Sequence, residues 1–355
     1  MAQFAAIGQR LVARSGLAVL AYLWIPVALA GSLLLGLLFG PVHVPPGSVV
    51  GIVAHHLGIY QEAPNWGPAE DQIVWNIRLP EVLAAALVGA ALSLAGALFQ
   101  AVLRNPLADP YVIGTSAGAQ LGVTIALILP IQFAVAGFGS VQILAFAGAL
   151  ATVLLVYLLA RSGGTTPVVT LILAGFVTSS FLVSVTSFLA VVSTHMSQIV
   201  TWTMGGVQVG EWGQLGLIAP IILVACGVAL MLSPQLDALL LGEEQAAHLG
   251  IRVERLKLGA VVVASLVTAL AVTLAGIVAF VGLIIPHAVR LVYGPGHRVL
   301  LPAAAALGGT FVVLVDLLAR TVVAPTQLPL GVMTAVVGAP FFLHLLRRGR
   351  REYAS

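Results

Sequence analysis

The chain has 355 residues, 60% apolar and 8% charged, with a mean hydropathy of +1.11. Soluble domains carry about a quarter charged residues, so this composition excludes a soluble protein and indicates an integral membrane one. The net charge of +3 is not gathered into a basic face interleaved with aromatics, which speaks against nucleic acid as a partner. The single lysine, Lys257, is followed by Leu258, so the chain has no G-x-x-x-x-G-K-[ST] loop to cradle ATP.

Hydrocarbon about 30 Å thick is crossed by roughly 20 apolar helical residues. Charge-free stretches of that length or more run from Arg14 to Glu62, Glu81 to Arg104, Asp109 to Arg161, Arg161 to Glu211 and Glu211 to Asp237. Divided at Pro, Gly and polar clusters, the chain is predicted to make about ten crossings: 17–39, 79–103, 113–130, 138–160, 167–191, 212–232, 256–274, a short one near 281–292, 299–317 and 329–346. Arg10 and Arg14 before an apolar run that reaches Ala28-Leu29-Ala30 imitate a cleavable signal, but apolar sequence continues to Phe39, which predicts an uncleaved first span. No repeat or low-complexity linker divides the chain, so residues 1–355 are read as one transmembrane domain.

An outer loop, 40–76, carries His43, His55 and His56, with no HExxH pair or His-Cys cluster at metal-ligand spacing. No metal site or catalytic residue is assigned. Arg78 and Glu81 then open the second span. Gly114, Gly118 and Gly122 form a row at four-residue spacing, as do Gly36 and Gly40, and such rows let helix backbones approach in lipid. Gly114-Thr115-Ser116-Ala117-Gly118 also fits a G-x-S-x-G nucleophile elbow, but a loop rather than a strand precedes it, so Ser116 is not read as a hydrolase nucleophile.

A second outer segment spans 192–211, and the lone Cys226, inside a span, can form no internal disulfide. The inner segment, about 233–253, differs in kind. From Asp237 to Gly250 it reads as a short amphipathic helix or pair of helices, broken by Gly242 and ended by Gly250. A helix lying on the membrane would favour Lys and Arg on its polar face; Glu243 and Glu244 favour insertion into a groove of another protein. Residues 258–289 are too long for one crossing and short for two, predicting a span followed by a half-helix that Pro286 ends, its loose backbone shielded by protein or water. Asp316 and Arg320, one helical turn apart, form either a local pair or, with Arg78, an outward face for the carboxylates of a soluble partner.

Basic residues are retained on the cytoplasmic side. With an inner N-terminus, thirteen of the 15 fall inside: Arg10, Arg14, Arg104, Arg161, Arg252, Arg255, Lys257, Arg290, Arg298, Arg347, Arg348, Arg350 and Arg351. Only Arg78 and Arg320 fall outside, which requires an even number of crossings and a cytoplasmic C-terminus.

Several motifs in order carry a family likeness: Arg78-Leu79-Pro80, Gly89 to Gln100, Arg104-Asn105-Pro106-Leu107-Ala108-Asp109-Pro110 into Gly114 to Gly118, Met204-Gly205-Gly206, Gly242-Glu243, Leu249-Gly250, Phe280 to His287, Leu328-Pro329-Leu330-Gly331 and Gly338-Ala339-Pro340. From about residue 17 to 348 the chain resembles the FecCD family, permease subunits of type II ABC importers for ferric siderophores, haem and cobalamin. The resemblance implies an all-α polytopic fold of ten transmembrane helices. It further implies a homodimer in the bacterial inner membrane, two cytoplasmic ABC ATPase subunits that bind ATP and Mg, and a periplasmic substrate-binding protein, with no cofactor in this chain. Gly242, Glu243, Ala246, Leu249 and Gly250 would form the helix that seats in the ATPase. Asn105 and Leu107 would close the cytoplasmic end of the pathway, with the loop from Gly163 to Val169 as a second gate. The fifth span and the short helix near Gln198 to Met204 would flank the route. Arg78 and Arg320 would receive the binding protein, although Glu81 replaces a further arginine of the family pattern.

The function so implied is ATP-driven import of an iron chelate, haem or a ferric siderophore, by alternating access, with cobalamin as the alternative cargo. An ion-coupled secondary transporter would place a carboxylate or His near mid-membrane, whereas Glu81, Asp316 and His287 lie near predicted span ends.

Overall fold

The computed structural model describes residues 23–59, 65–129, 132–209 and 211–353, with side chains through 343. Arg10, Arg14, Glu62 and the side chains of Arg347, Arg348, Arg350 and Arg351 lie outside the described residues. The described chain is a helical bundle. Its helices are α1 (Leu23–Leu38), α2 (Pro46–His56), α3 (Pro68–Asp71), a π-helical stretch (Gln72–Arg78), α4 (Leu79–Val102), α5 (Thr115–Ile128), α6 (Ser140–Ala160), α7 (Val168–Val192), α8 (Met196–Thr203), α9 (Trp212–Leu239), α10 (Glu243–His248), α11 (Val253–Ala275), α12 (Val281–Tyr293), α13 (His297–Thr321) and α14 (Leu330–Tyr353). An antiparallel pair, β1 (Ala134–Val135) and β2 (Phe138–Gly139), joins α5 to α6.

Six helical stretches are long and apolar enough to cross a membrane and four shorter ones are apolar, so ten apolar helices occur among the described residues. They follow the ten predicted crossings, the first being described only from Leu23. The chain is therefore a multi-pass, all-α membrane protein.

Burial sorts these helices into a centre and a periphery. In α4 nearly every side chain from Ala84 to Val102 is buried, and α11 is buried almost throughout its second half. By contrast α7 leaves Val169, Phe176, Phe181, Phe188 and Val191 exposed, as suits a helix whose neighbours are lipid or another chain. Small residues set the centre. A Cβ on Gly89 would lie 2.1 Å from the Gly308 carbonyl oxygen and one on Gly96 would lie 1.8 Å from that of Gly282, so α4 touches α13 and α12 backbone to backbone. The Gly118 and Gly122 row likewise seats α5 on α6, against the carbonyl oxygens of Gly148 and Leu144.

The helix limits differ from the sequence reading at three places. The outer loop 40–76 contains α2, α3 and the π-helical stretch, and the last two run unbroken into α4. Next, α9 continues through Pro234 to Leu239, so Asp237 belongs to it rather than to a separate inner segment. Asp237 Oδ1 accepts the His297 backbone N–H at 2.8 Å and contacts His297 Nδ1 at 2.6 Å, capping α13 from another helix. Finally, Pro286 does not end the half-helix. The break precedes it, at Gly276 and Phe280, both in the left-handed region, and α12 runs through Pro286 to Tyr293.

Proline is tolerated there because the carbonyl it orphans finds another donor. Pro286 has no N–H for Gly282 O, and Gln100 Nε2 from α4 donates to Gly282 O at 3.4 Å and Leu283 O at 3.2 Å. The break itself is shielded by protein. Gly206 N–H donates to Ala275 O at 2.9 Å and Gln208 N–H to Leu274 O at 2.8 Å, while Met204 O and Gly205 O accept the N–H groups of Gly331 and Leu330. The Met204-Gly205-Gly206 and Leu328-Pro329-Leu330-Gly331 motifs thus meet, one satisfying the end of α11 and the start of α14.

Candidate functional site

Two loops and α10 gather at the end of α4 that follows Val102. The first loop, Leu103 to Gly114, is built from two Asx-Pro turns. Asn105 Oδ1 accepts the Leu107 N–H at 2.9 Å, and Asp109 Oδ1 accepts the Tyr111 N–H at 2.8 Å. These bonds present Asn105 and Leu107 on the surface, Leu107 with 41% of its area exposed. The Tyr111 hydroxyl donates to Val278 O and accepts the Val278 N–H, each at 3.2 Å, so the loop is tied to the break between α11 and α12. Burial pushes the half-buried Asp109 carboxyl up to about 6, against the opposing pull of the Tyr111 N–H. The Tyr111 phenol is also raised, by burial and then by the neighbouring Asp109.

The second loop, between α6 and α7, is a tight reversal. Ser162 and Thr165 exchange backbone hydrogen bonds at 3.0 Å across Gly163 and Gly164, both at positive φ. Thr166 follows, 4% exposed, and Pro167 caps the start of α7.

The helix α10 starts from Gly242 at φ +119 and ends in a Schellman motif, where Gly250 N–H donates to Ala247 O and Ile251 N–H to Ala246 O. Ala246 is fully buried against the bundle, while Leu240, Leu241 and Leu249 are exposed beside Glu244. The short helix that sequence patterning predicts there is present, with Gly242 and Gly250 at its two ends.

An ionic cluster joins these parts. Lys257 on α11, 4% exposed, lies 2.6 Å from Glu254 Oε1, 3.2 Å from Glu243 Oε2, and donates to Thr166 O at 3.1 Å. Glu254 Oε2 accepts the Thr166 N–H at 3.0 Å, so the Lys257 and Glu254 side chains hold both polar groups of one residue's backbone, as a neighbouring strand would. Glu243 Oε1 faces Arg104 at 3.5 Å. Sequence reasoning gives Lys257, Glu254 and Arg104 no role in such a cluster and takes Thr166 only as part of the 163–169 loop. The available signal was the chain's only lysine, one turn after an acid at the start of a helix, where every other Lys or Arg position holds arginine.

At the far end of α4, about 36 Å away for a helix of 24 residues rising about 1.5 Å each, a second cluster corrects the reading of Arg78 and Arg320. One of the two sequence readings places both on an outward face; the structure buries them, 2% and 4% exposed. Arg78 donates to Leu37 O at 2.9 Å and Val42 O at 2.7 Å. Arg320 lies 2.9 Å from Asp316 and 3.3 Å from Glu81, whose other oxygen accepts from Gln327 at 3.2 Å. Guanidinium groups next to apolar helices are stable only where carboxylates and carbonyls replace water. Glu81 thus supplies an internal counterion, and the local pairing of Asp316 with Arg320 is what the chain adopts.

Gly114, at φ +87, follows a turn and caps α5, so no strand leads to Ser116 as an elbow requires. Among the described residues no group of three His, Cys, Asp or Glu side chains could hold a metal ion.

Comparison with known proteins agrees with this architecture. The chain is 40% identical over 325 residues to the ABC transporter permease protein YvrB of Bacillus subtilis, itself uncharacterised, covering 91% of this chain and 92% of that one. It is 45% identical over 276 residues to the cobalamin import system permease protein BtuC of Halobacterium salinarum, covering 78% and 73%. A solved structure described as the inward-facing conformation of an ABC transporter assigned to the metal-chelate type superposes with a TM-score of 0.72 at 31% identity, over 85% of this chain and 96% of that one. Residues 28–348 match the FecCD transport family. With the broken α11–α12 pair, the capped α10 and the motif order all in place, the chain belongs to that family of ABC transporter permeases.

Proposed function

We infer that this chain is the membrane subunit of an importer that moves an iron chelate, haem or a ferric siderophore, inward by alternating access. ATP and Mg are bound by a separate ATPase, and the working unit is a homodimer with two such ATPases and a periplasmic binding protein. The observation that carries this reading is α10, a short capped helix anchored by buried Ala246 with Leu240, Leu241 and Leu249 exposed around it. An apolar helical surface beside the membrane domain is suited to a groove in a soluble partner. Gly242, Glu243, Ala246, Leu249 and Gly250 form this coupling element, and Asn105 and Leu107 form the gate beside it. The apolar surfaces of α7 and α14 are available for a second copy. Charge placement supports an inner-membrane topology with both termini and α10 on the cytoplasmic side.

The metal-chelate assignment of the structural relative supports an iron chelate; the Halobacterium relative favours cobalamin as the second reading. Proteoliposomes holding this chain, its ATPase and its binding protein test both. Under the first reading, ATP drives accumulation of haem or radioiron siderophore and not of cobalamin. Accumulation driven by a proton or sodium gradient without ATP would reject the importer reading altogether.

A further inference from the structure

The ionic cluster at α10 divides into two neutral pairs. Lys257 with Glu254 belongs to α11 and holds Thr166; Glu243 with Arg104 joins the head of α10 to the loop carrying Asn105 and Leu107. The side-chain contact that crosses this division is Lys257 Nζ to Glu243 Oε2 at 3.2 Å.

Breaking a buried ion pair is costly when it leaves one charge alone. Here it does not. If α10 moves off with Glu243, buried Lys257 keeps Glu254 at 2.6 Å and the Thr166 carbonyl, while Glu243, a third exposed, keeps Arg104 and meets water. Covalent continuity makes the contact mechanical: Glu243 is the first residue of α10, and Thr166 is separated only by Pro167 from the first residue of α7. One carboxylate therefore sits between the leader of α5, through Arg104, and the leader of α7, through Lys257.

We propose that Lys257 is a positioning residue whose contact with Glu243 is the joint that opens and closes in each transport cycle, passing motion of α10 to the start of α7. This rests on the reading of α10 as the ATPase-coupling element. A purely structural lysine would support folding alone; a joint also sets how much cargo moves per ATP.

The test uses the reconstituted complex with Cys226→Ser as background and spin labels at Ser162→Cys and Gln245→Cys, both exposed positions. One distance population in the nucleotide-free complex should be replaced by a longer one when ATP is trapped. Lys257→Met should show the longer population in both states and lower uptake per ATP hydrolysed at least tenfold, and Lys257→Arg should restore at least half of that ratio. If Lys257→Met fails to assemble, Glu254→Gln, which loosens Thr166 and leaves Lys257 paired with Glu243 while the joint is closed, should give the same loss of ratio. An unchanged distance on ATP trapping, or a normal uptake-to-hydrolysis ratio in Lys257→Met or Glu254→Gln, would overturn the joint. Failure of the unmodified complex to couple ATP to uptake would instead overturn the importer reading, so the two failures are separable.

Discussion

Replacing Gly96 by alanine tests the contact on which the half-helix depends. A Cβ there would stand 1.8 Å from the Gly282 carbonyl oxygen, whereas real Cβ contacts do not fall below 3.0 Å, so α4 and α12 must part by at least the 1.2 Å difference. Gln100, one turn further along α4, donates to Gly282 O at 3.4 Å and Leu283 O at 3.2 Å, and a shift of that size breaks both bonds. Overpacking costs about 1–3 kcal/mol and stranding the buried Gly282 carbonyl, which Pro286 leaves without a helical donor, about 1–3 kcal/mol, for a loss on the order of 2–6 kcal/mol. Gly227→Ala, in α9 with nothing within 4 Å of the new Cβ, is the control and should gain about 0.5–1 kcal/mol from the loss of chain entropy in the unfolded state. Titration of the purified protein in mixed micelles with SDS measures both. Unfolding of Gly96→Ala at the same SDS fraction as the parent would refute the close approach and the role given to Gln100.

Arg320→Met strands the Glu81 and Asp316 carboxylates and should cost about 3–5 kcal/mol in the same assay, with binding-protein affinity per folded molecule unchanged between low and high salt; a salt-dependent loss of affinity would restore a docking role. Asp109, with its carboxyl raised to about 6 from an ordinary 3.8, favours the folded state most when protonated. That contribution is complete below about pH 4 and lost as pH rises through 6. Asp109→Asn, which keeps an acceptor for the Tyr111 N–H, should flatten the fall in stability between pH 4 and 7, and an unaltered slope would contradict it. Gly242 at φ +119 cannot be matched by proline, whose φ is near −65°, so Gly242→Pro with Glu243→Ala should lower uptake per ATP at least tenfold in the reconstituted complex. The purified chain alone should release no phosphate from ATP.

Much of this was legible because lipid imposes strict local rules. A charge-free run of sufficient length is a span whatever it packs against, so α4, α6, α7, α11 and α13 lie within a few residues of their predicted limits. Gly242 and Gly250 bracket a helix for reasons that reside in their own backbone angles. What misled was proline and charge. Pro286 reads as a stop unless one knows that Gln100, 186 positions earlier, stands ready to satisfy the carbonyl it frees. Arg78 reads as an outward charge unless one knows that a π-helical stretch, whose hydrogen bonds span one residue more than an α-helix's, precedes α4 and that the Leu37 and Val42 carbonyls await it.

Sequence alone determined that the protein lives in a membrane, where its ten apolar segments lie, which end of each segment carries positive charge and which segment is too short to cross. Those properties depend on each residue's transfer from water to hydrocarbon and on helical period, both local. Only the tertiary structure decided which charges are spent inside: that Arg320 answers Glu81 and Asp316, and that Lys257 holds Thr166, Glu254 and Glu243 at once. A charge in a low-dielectric interior is stable only beside specific partners, and those partners are brought together from distant helices by packing that no single segment encodes.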